Sequence, residues 1–265
     1  MFLDEDKPHD ECGVFGIYGP ELNVARYTYY GLYGLQHRGQ ESAGIAVADG
    51  ERIELYKNLG LVSEVFQKDT LKTLKGHIAV GHVRYSTTGS NSVVNAQPLM
   101  FHYLKGTLAI AHNGNLTNAA KLRKALAHNG SVFQSSSDTE IFVNLLARYG
   151  QDSIEEALMK CMIDVKGAYS LVLMSENKLI GMRDPYGVRP LCLGRLGDAW
   201  ILSSESCAID NIGAELVRDV EPGEIVVIDE GGMRSLRPMA SPRRALCTFE
   251  LVYVARPDSV IDGVS

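Results

Sequence analysis

The sequence of 265 residues contains no hydrophobic run close to the roughly 20 residues that a membrane-spanning helix needs. It also lacks an excess of positive charge, since 26 lysines and arginines stand against 32 aspartates and glutamates and the formal net charge is -6. This balance argues against a surface built for nucleic acid or anionic lipid. The acidic N-terminal stretch lacks the apolar core of a secretory signal. We therefore expect a cytoplasmic protein that binds neither nucleic acid nor membranes.

Cysteine is scarce and scattered. The five residues, at positions 12, 161, 192, 207 and 247, are odd in number and include no Cys-x-x-Cys pair, which indicates a reducing compartment rather than a disulfide framework. Cys12 stands between an acidic leader, MFLDEDKPHDE, and the strand-like run GVFGIYG. It is either a buried core residue, which its position alone favours, or a nucleophile that becomes the N-terminus when residues 1–11 are removed.

Short β-like runs and helical patterns occur in separate blocks along the chain. Strands are predicted for the apolar runs CGVFGIYG, AGIAVAD, RIELYK, HIAVGHV, TLAIAHN, AWILSSE and EIVVIDEGGM, and a hairpin for residues 168–184. Helical periodicity predicts helices within 23–39, 116–130, 137–150 and 153–167. The last two are expected to open with capping boxes, Ser137 to Glu140 and Ser153 to Glu156. Because strands cluster with strands and helices with helices, the fold class is α+β.

Four polar positions interrupt or follow these elements. Arg84, after HIAVGHV, offers a planar guanidinium suited to a carboxylate, although a lone arginine is more often a surface ion pair. Asn113 and Gly114 place a side-chain amide and an open backbone N–H at an expected turn, which suits an oxyanion hole or, taken alone, a type I′ turn. Asp138 lies in the first turn of a helix, where capping is its ordinary role.

Taken together, these stretches resemble the class II glutamine amidotransferases. CGVFG, YGLQHRGQESAG, GHVRYSTTG, AHNGNLTN, SSDTE, DPYGVRPL, SSESCA and VEPGE follow one another as they do in that family. LQHRGQESAG and RPDSVIDG resemble its phosphoribosylpyrophosphate amidotransferase branch, rather than the aminosugar synthases with a stretch like LEYRGYDSAG. The resemblance covers residues 12–265. It implies the N-terminal-nucleophile hydrolase fold, a four-layer αββα sandwich of two antiparallel sheets, and it favours a nucleophilic Cys12.

The resemblance also implies a catalytic apparatus. Residues 1–11 would be a propeptide, and its removal would free the α-amine of Cys12 as a general base with a pKa of roughly 7.7–8.0. The thiolate would attack the side-chain amide of glutamine, and Asn113 and Gly114 would hold the oxyanion. His82 and His112, at strand ends, are expected to be structural.

Further positions are assigned by the same resemblance. Arg84 would bind the α-carboxylate of glutamine and Asp138 its α-ammonium, while Arg38 would belong to the wall of the substrate site. Cys247, in CTFELVYVARP, matches one ligand of a [4Fe–4S] cluster in the propeptide-bearing branch of the family. The other cluster ligands would lie beyond Ser265, as would a Mg²⁺-dependent phosphoribosyltransferase site.

The expected domain organisation follows from these assignments. Residues 1–11 are the propeptide, 12–240 the glutaminase domain, and 241–265 a connector with the start of a truncated phosphoribosyltransferase domain. The proline- and arginine-rich composition near 234–244 favours a connector, although a C-terminal strand docked on the sheet is the alternative.

The whole protein is then expected to make 5-phosphoribosylamine from glutamine and phosphoribosylpyrophosphate, the first step of de novo purine synthesis, as a homo-oligomer. Two other functions remain open at this point. The chain could be the glutaminase half of another class II amidotransferase, or a catalytically silent regulatory module.

Overall fold

The computed structural model describes residues 12–85, 92–150, 153–239 and 243–264. The predicted propeptide and residues 86–91 of the loop after Arg84 lie outside the described residues. Among the helices in these ranges, none combines the length and apolar character needed to cross a bilayer.

The first of two sheets has seven described strands, each antiparallel to its neighbours. Their order across the sheet is β11 (Glu215–Asp219), β9 (Cys192–Leu196), β10 (Ala199–Ser203), β1 (Gly13–Tyr18), β4 (Ile78–Arg84), β2 (Ser42–Ala48) and β3 (Ile53–Leu59). The register sets Gly13 of β1 opposite Val83 of β4. Cys12, directly before β1, therefore lies beside the end of β4.

The second sheet has six described strands and is also antiparallel throughout. Their order is β13 (Gly232–Leu236), β12 (Ile225–Asp229), β8 (Leu179–Arg183), β7 (Gly167–Met174), β6 (Gly106–Leu116) and β5 (Leu99–Tyr103). β6 is 11 residues long and stays paired with β7 as far as Leu116.

Helices cover the outer face of each sheet. The helices on the first sheet are α1 (Val24–Gly34), α2 (Val62–Val65), α3 (Lys68–Thr73) and α7 (Ser206–Asn211). Those on the second sheet are α4 (Ala119–His128), α5 (Thr139–Arg148) and α6 (Ile154–Asp164). The α+β class and the four-layer αββα arrangement predicted from the sequence are confirmed.

The central strands are apolar without alternation because both of their faces are buried. In β1, Phe15 and Ile17 pack under the helices of the first sheet, whereas Val14 and Tyr18 pack against the second sheet. A Cβ added at Gly16 would lie 2.6 Å from a methyl of Val172, so the two sheets approach closely there. Cys12 is therefore attached directly to a strand, β1, that is buried along its whole length.

Two local predictions were wrong and one was confirmed. The capping box from Ser153 to Glu156 forms at the start of α6. The one expected from Ser137 to Glu140 does not form, because the Glu140 carboxylate accepts hydrogen bonds from Ser135 and the backbone of Gln134 instead. Asn113 and Gly114 were expected at a turn, but both lie inside β6 and pair with β7.

The C-terminal part does not form the docked strand that was the alternative to a connector. Glu250–Val254 form a short π-helix that packs on the sandwich through buried Glu250 and Val254. Beyond it, Ile261 is 1% exposed, and Asp262 pairs with the buried Arg183. The segment 247–264 is therefore held against the sandwich without joining either sheet.

Candidate active site

Cys12 lies at the end of the sandwich where β1 begins and β4 ends. Its side chain is half-buried, and its Sγ is 3.5 Å from the backbone oxygen of Tyr85. Arg84, the last residue of β4, is 4% exposed and lies 3.8 Å from the Glu41 carboxylate. Because Gly13 pairs with Val83, the backbones of Cys12 and Arg84 lie at the same end of the neighbouring strands β1 and β4.

Asn113 carries an unusual side chain for a central strand. It is completely buried, yet neither its Oδ1 nor its Nδ2 has a hydrogen-bond partner among the described residues. An unpaired buried amide costs about 1–3 kcal/mol, so native proteins seldom keep one without a reason. A group held in this way can serve a ligand that completes its hydrogen bonds.

Gly114 follows in a conformation that other residues rarely adopt, with φ of 139°. A Cβ at this position would lie 2.1 Å from the backbone oxygen of Ala168. Glycine is therefore required for the close approach of β6 and β7. Together with Asn113, this position offers an amide and a backbone N–H of the kind that stabilise an oxyanion.

His82 and His112 connect the two sheets at this end. His82 of β4 donates from Nε2 to the backbone oxygen of His112 of β6, at 3.1 Å. Burial lowers the pKa of His82 to about 3, so the ring is neutral at physiological pH. Because Arg84 and Asn113 lie two and one residues further along their strands, this bond brings them to the same end of the sandwich.

Asp138 is drawn to β6 rather than to its own helix. It is the residue before α5, but its carboxylate accepts from the backbone N–H of Leu116 at 2.9 Å and lies 3.5 Å from Nδ1 of His112. Burial would raise the pKa of Asp138, but His112 and the N–H of Leu116 lower it below its ordinary value. The carboxylate therefore keeps its charge at neutral pH. His112 fixes Asp138, a role that the sequence analysis did not assign.

Arg38 was expected in the wall of the substrate site. It is fully buried, and all three of its guanidinium nitrogens have acceptors within the protein. Nε donates to the backbone oxygen of Cys12 at 3.1 Å, Nη1 to Glu205, and Nη2 to both oxygens of Glu250 at 3.0 and 3.1 Å. Arg38 therefore supports the backbone of Cys12, and none of its guanidinium nitrogens is left without a protein acceptor.

Glu205 and Glu250 were both missed in the sequence. Opposite charge and hydrogen bonds lower the pKa of Glu205 strongly despite its burial, with His37 and Arg38 as the nearest partners. Ligand-type atoms of His37, Glu205 and Cys207 lie within 4.8 Å of one another. Arg38 already supplies the positive charge that a metal ion would bring to this carboxylate. Both glutamates lie in stretches that the sequence analysis quoted, Glu205 in SSESCA and Glu250 in CTFELVYVARP, but neither was assigned a role.

The remaining cysteines do not form a cluster with Cys247. Cys161, Cys192 and Cys207 are buried in the sandwich, and burial raises the pKa of each thiol. Cys247 is half-buried, and its backbone N–H donates to Val188 at 3.4 Å. A [4Fe–4S] cluster needs four ligands, usually cysteine thiolates, and the described residues offer one at this place. These residues do not fit a complete cluster.

Known proteins are similar to this chain. A family described as "Glutamine amidotransferase domain" matches residues 82–211, the stretch that contains Arg84, Asn113, Gly114 and Asp138. The amidophosphoribosyltransferase of Mycobacterium tuberculosis (strain H37Rv) is 50% identical over 269 residues, 99% of this chain and 51% of the relative. That of Bacillus subtilis (strain 168) is 47% identical over 97% of this chain and 54% of the relative. Nearly the whole of this chain is therefore similar to amidophosphoribosyltransferases, of which it covers about half.

A solved structure agrees with this family. Glutamine phosphoribosylpyrophosphate amidotransferase from B. subtilis, complexed with ADP and GMP, superposes with a TM-score of 0.91 at 47% identity, covering 96% of this chain and 55% of that one. That protein therefore shares the two-sheet sandwich described above. The chain spans about half the length of the curated relatives it matches.

Proposed function

We propose that this chain is the glutamine-hydrolysing half of an amidophosphoribosyltransferase, with Cys12 as its nucleophile. The observation that carries the proposal is the carboxamide of Asn113, which is fully buried, unpaired among the described residues, and held at the end of the sandwich where Cys12 lies. A tetrahedral oxyanion at this place would complete its hydrogen bonds together with the N–H of Gly114.

The chemistry follows from the groups present. Removal of residues 1–11 would free the α-amine of Cys12, which takes the thiol proton directly or through a water molecule. The thiolate attacks the side-chain amide carbon of glutamine, forming a C–S bond and an oxyanion. The oxyanion collapses as the protonated amine gives its proton to the leaving nitrogen, and ammonia departs. Water then hydrolyses the γ-glutamyl thioester, which releases glutamate and restores the thiol.

Arg84 and Asp138 have the charges needed to hold the amino-acid end of glutamine. Arg84 would pair with the α-carboxylate in a two-bond geometry that lysine cannot copy. Asp138, with its pKa lowered by His112, would pair with the α-ammonium. Two fixed charges also set the distance to the side-chain amide. Asparagine, one methylene shorter, would bring its carbonyl short of Cys12 and Asn113.

The larger protein would use the ammonia in its second half. It would convert phosphoribosylpyrophosphate to 5-phosphoribosylamine with Mg²⁺, as a cytoplasmic homo-oligomer. Residues 12–240 would form the glutaminase domain and 241–265 the connector to the phosphoribosyltransferase domain. A [4Fe–4S] cluster would take Cys247 as one ligand and its other ligands from the second half. The exposed apolar side chains at 249 and 251–253 support a surface covered by that half.

The test is a comparison of nitrogen donors in the full-length gene product. Cys12→Ala should abolish 5-phosphoribosylamine formation from glutamine and spare formation from ammonia, because the thiol serves only amide cleavage. Mass spectrometry of the active wild-type protein should find Cys12 at the N-terminus. Retention of Met1 in active protein, or equal loss of both activities in a folded Cys12→Ala variant, would contradict the proposal. Ammonia release that supports another acceptor would point to a different class II amidotransferase.

A further inference from the structure

Arg38 links the backbone of Cys12 to the C-terminal segment. Its guanidinium is fully buried and reaches three acceptors that point in different directions: the Cys12 carbonyl, the Glu205 carboxylate and the Glu250 carboxylate. A planar group fixed at all three nitrogens cannot rotate. The direction of the Nε–H bond to Cys12 is therefore set by the two carboxylates.

The two carboxylates are not equivalent. Glu205 has other donors that hold it in place, namely Nε2 of His37 at 2.9 Å, the backbone N–H of Arg256 at 3.1 Å and the hydroxyl of Ser259 at 2.6 Å. These hydrogen bonds would keep Glu205 in position if Arg38 moved. Glu205 is therefore a fixed anchor for Arg38, and the orientation of the Arg38 guanidinium depends on a second anchor.

Glu250 is that second anchor. It is completely buried on the inner side of the π-helix, and it receives Nη2 of Arg38 on both oxygens. Arg189, whose side chain is 13% exposed, approaches the same carboxylate at 3.3 Å. Without the charge of Glu250, Arg38 and Arg189 would face each other across a buried space, and like charges at such a distance repel strongly. Arg38 would then turn away from the Cys12 carbonyl.

We propose that Glu250 is a positioning residue for the Cys12 nucleophile and acts through Arg38. This inference deepens the proposed function and rests on it. The carbonyl carbon of Cys12 is bonded to the α-carbon that also carries the α-amine and the thiol-bearing Cβ, so a displacement of the carbonyl moves both reacting groups. Glutamine cleavage thereby depends on a segment that lies more than 230 residues further along the chain.

The experiment uses the full-length gene product with two nitrogen donors. Glu250→Gln keeps the shape of the side chain and removes its charge. It should lower the glutamine-dependent kcat about 10-fold or more, since small displacements of reacting groups carry such losses, and leave the glutamine KM within about twofold. Ammonia-dependent synthesis should stay near the wild-type rate. Glu250→Asp, which retains the charge one methylene further away, should lose less.

A double-mutant cycle distinguishes a path through Arg38 from a general effect on packing. If Glu250 acts through Arg38, the Arg38→Lys and Glu250→Gln double variant should be no slower than Arg38→Lys alone. Glu224→Gln is the matched control, because Glu224 is also fully buried and also pairs with an arginine, Arg218, through both oxygens. It should leave the ratio of glutamine-dependent to ammonia-dependent activity unchanged.

Three results would overturn the positioning role. They are a parallel loss of both activities in Glu250→Gln, an equal selective loss in Glu224→Gln, and additive losses in the double variant. If Glu250→Gln gives no folded protein, Glu250→Asp provides the same comparison of the two donors. A wild-type protein that cannot use glutamine would overturn the proposed function and this role together, whereas a positioning failure leaves wild-type glutamine use intact.

Discussion

Replacement of Asn113 by alanine should separate stability from catalysis. Removing a buried, unpaired amide recovers about 1–3 kcal/mol of desolvation free energy, while the small cavity left behind costs about 1 kcal/mol. The free energy of unfolding of Asn113→Ala should therefore stay within about 1 kcal/mol of wild type or rise. The glutamine-dependent kcat should fall about 10²–10³-fold, the loss typical of one oxyanion donor. Ammonia-dependent synthesis should be unaffected.

Asn95 provides a matched comparison in the same fold. It is 2% exposed, and its amide exchanges hydrogen bonds with the hydroxyl and the backbone N–H of Ser136. Asn95→Ala removes these hydrogen bonds, so it should reduce the free energy of unfolding by about 1–3 kcal/mol. Its glutamine-dependent kcat should stay within a few-fold of wild type. Urea titration and the two-donor assay measure both effects. If Asn113→Ala is destabilised as much as Asn95→Ala and retains full activity, the amide is structural and the oxyanion assignment is wrong.

Three further predictions concern other parts of the site. Arg84→Lys should raise the glutamine KM about 10-fold or more with ammonia-dependent synthesis near wild type, because an ammonium cannot pair with a carboxylate through two bonds; an unchanged KM would make Arg84 a structural ion-pair partner. Gly114→Ala should lower the free energy of unfolding by about 3 kcal/mol or more. Gly130 is the control, because its φ is 90° and nothing lies within 4 Å of an added Cβ, so Gly130→Ala should cost about 1 kcal/mol. Equal costs would show that the close approach of β6 and β7 does not require glycine at position 114. Burial lowers the pKa of His82 from 6.5 to about 3, so between these pH values the unfolded chain binds a proton that the folded protein does not. The free energy of unfolding should therefore fall as the pH falls, by up to about 1.4 kcal/mol per pH unit. His82→Gln should flatten this slope in urea titrations from pH 7 to pH 4, and an unchanged slope would exclude His82 as its source.

The sequence analysis succeeded where local signals determine the structure. Strands such as β1 and β4 were visible because burial on both faces leaves them apolar throughout. Among the edge strands, β3 was predicted from RIELYK, but β11 and most of β13 were missed for the opposite reason. Glu215–Asp219 and Gly232–Leu236 are partly exposed and carry charged residues, so they have no apolar run to detect. Their pairing is decided by neighbours in the sheet, which no local pattern records.

The site shows the same limit. Asn113 and Gly114 read as a turn because that dipeptide favours one, yet pairing with β7 keeps them in a strand. Glu140 was assigned to a capping box, but its carboxylate accepts hydrogen bonds from the backbone N–H groups of residues 134 and 135 instead. The partners of Arg38 lie 167 and 212 residues away, so its role could not be inferred from LQHRG alone.

The contrast between Arg38 and Asn113 follows from what each group has to do. A group that positions the nucleophile must not move, and Arg38 achieves this with acceptors on every nitrogen. A group that stabilises a charge formed only during the reaction must keep its hydrogen bonds available, and Asn113 is unpaired among the described residues. The fold can keep such an amide buried only because the surrounding strands are rigid and already satisfied. Under the proposed function, the fully hydrogen-bonded Arg38 and the unpaired Asn113 would meet two different requirements of the same reaction.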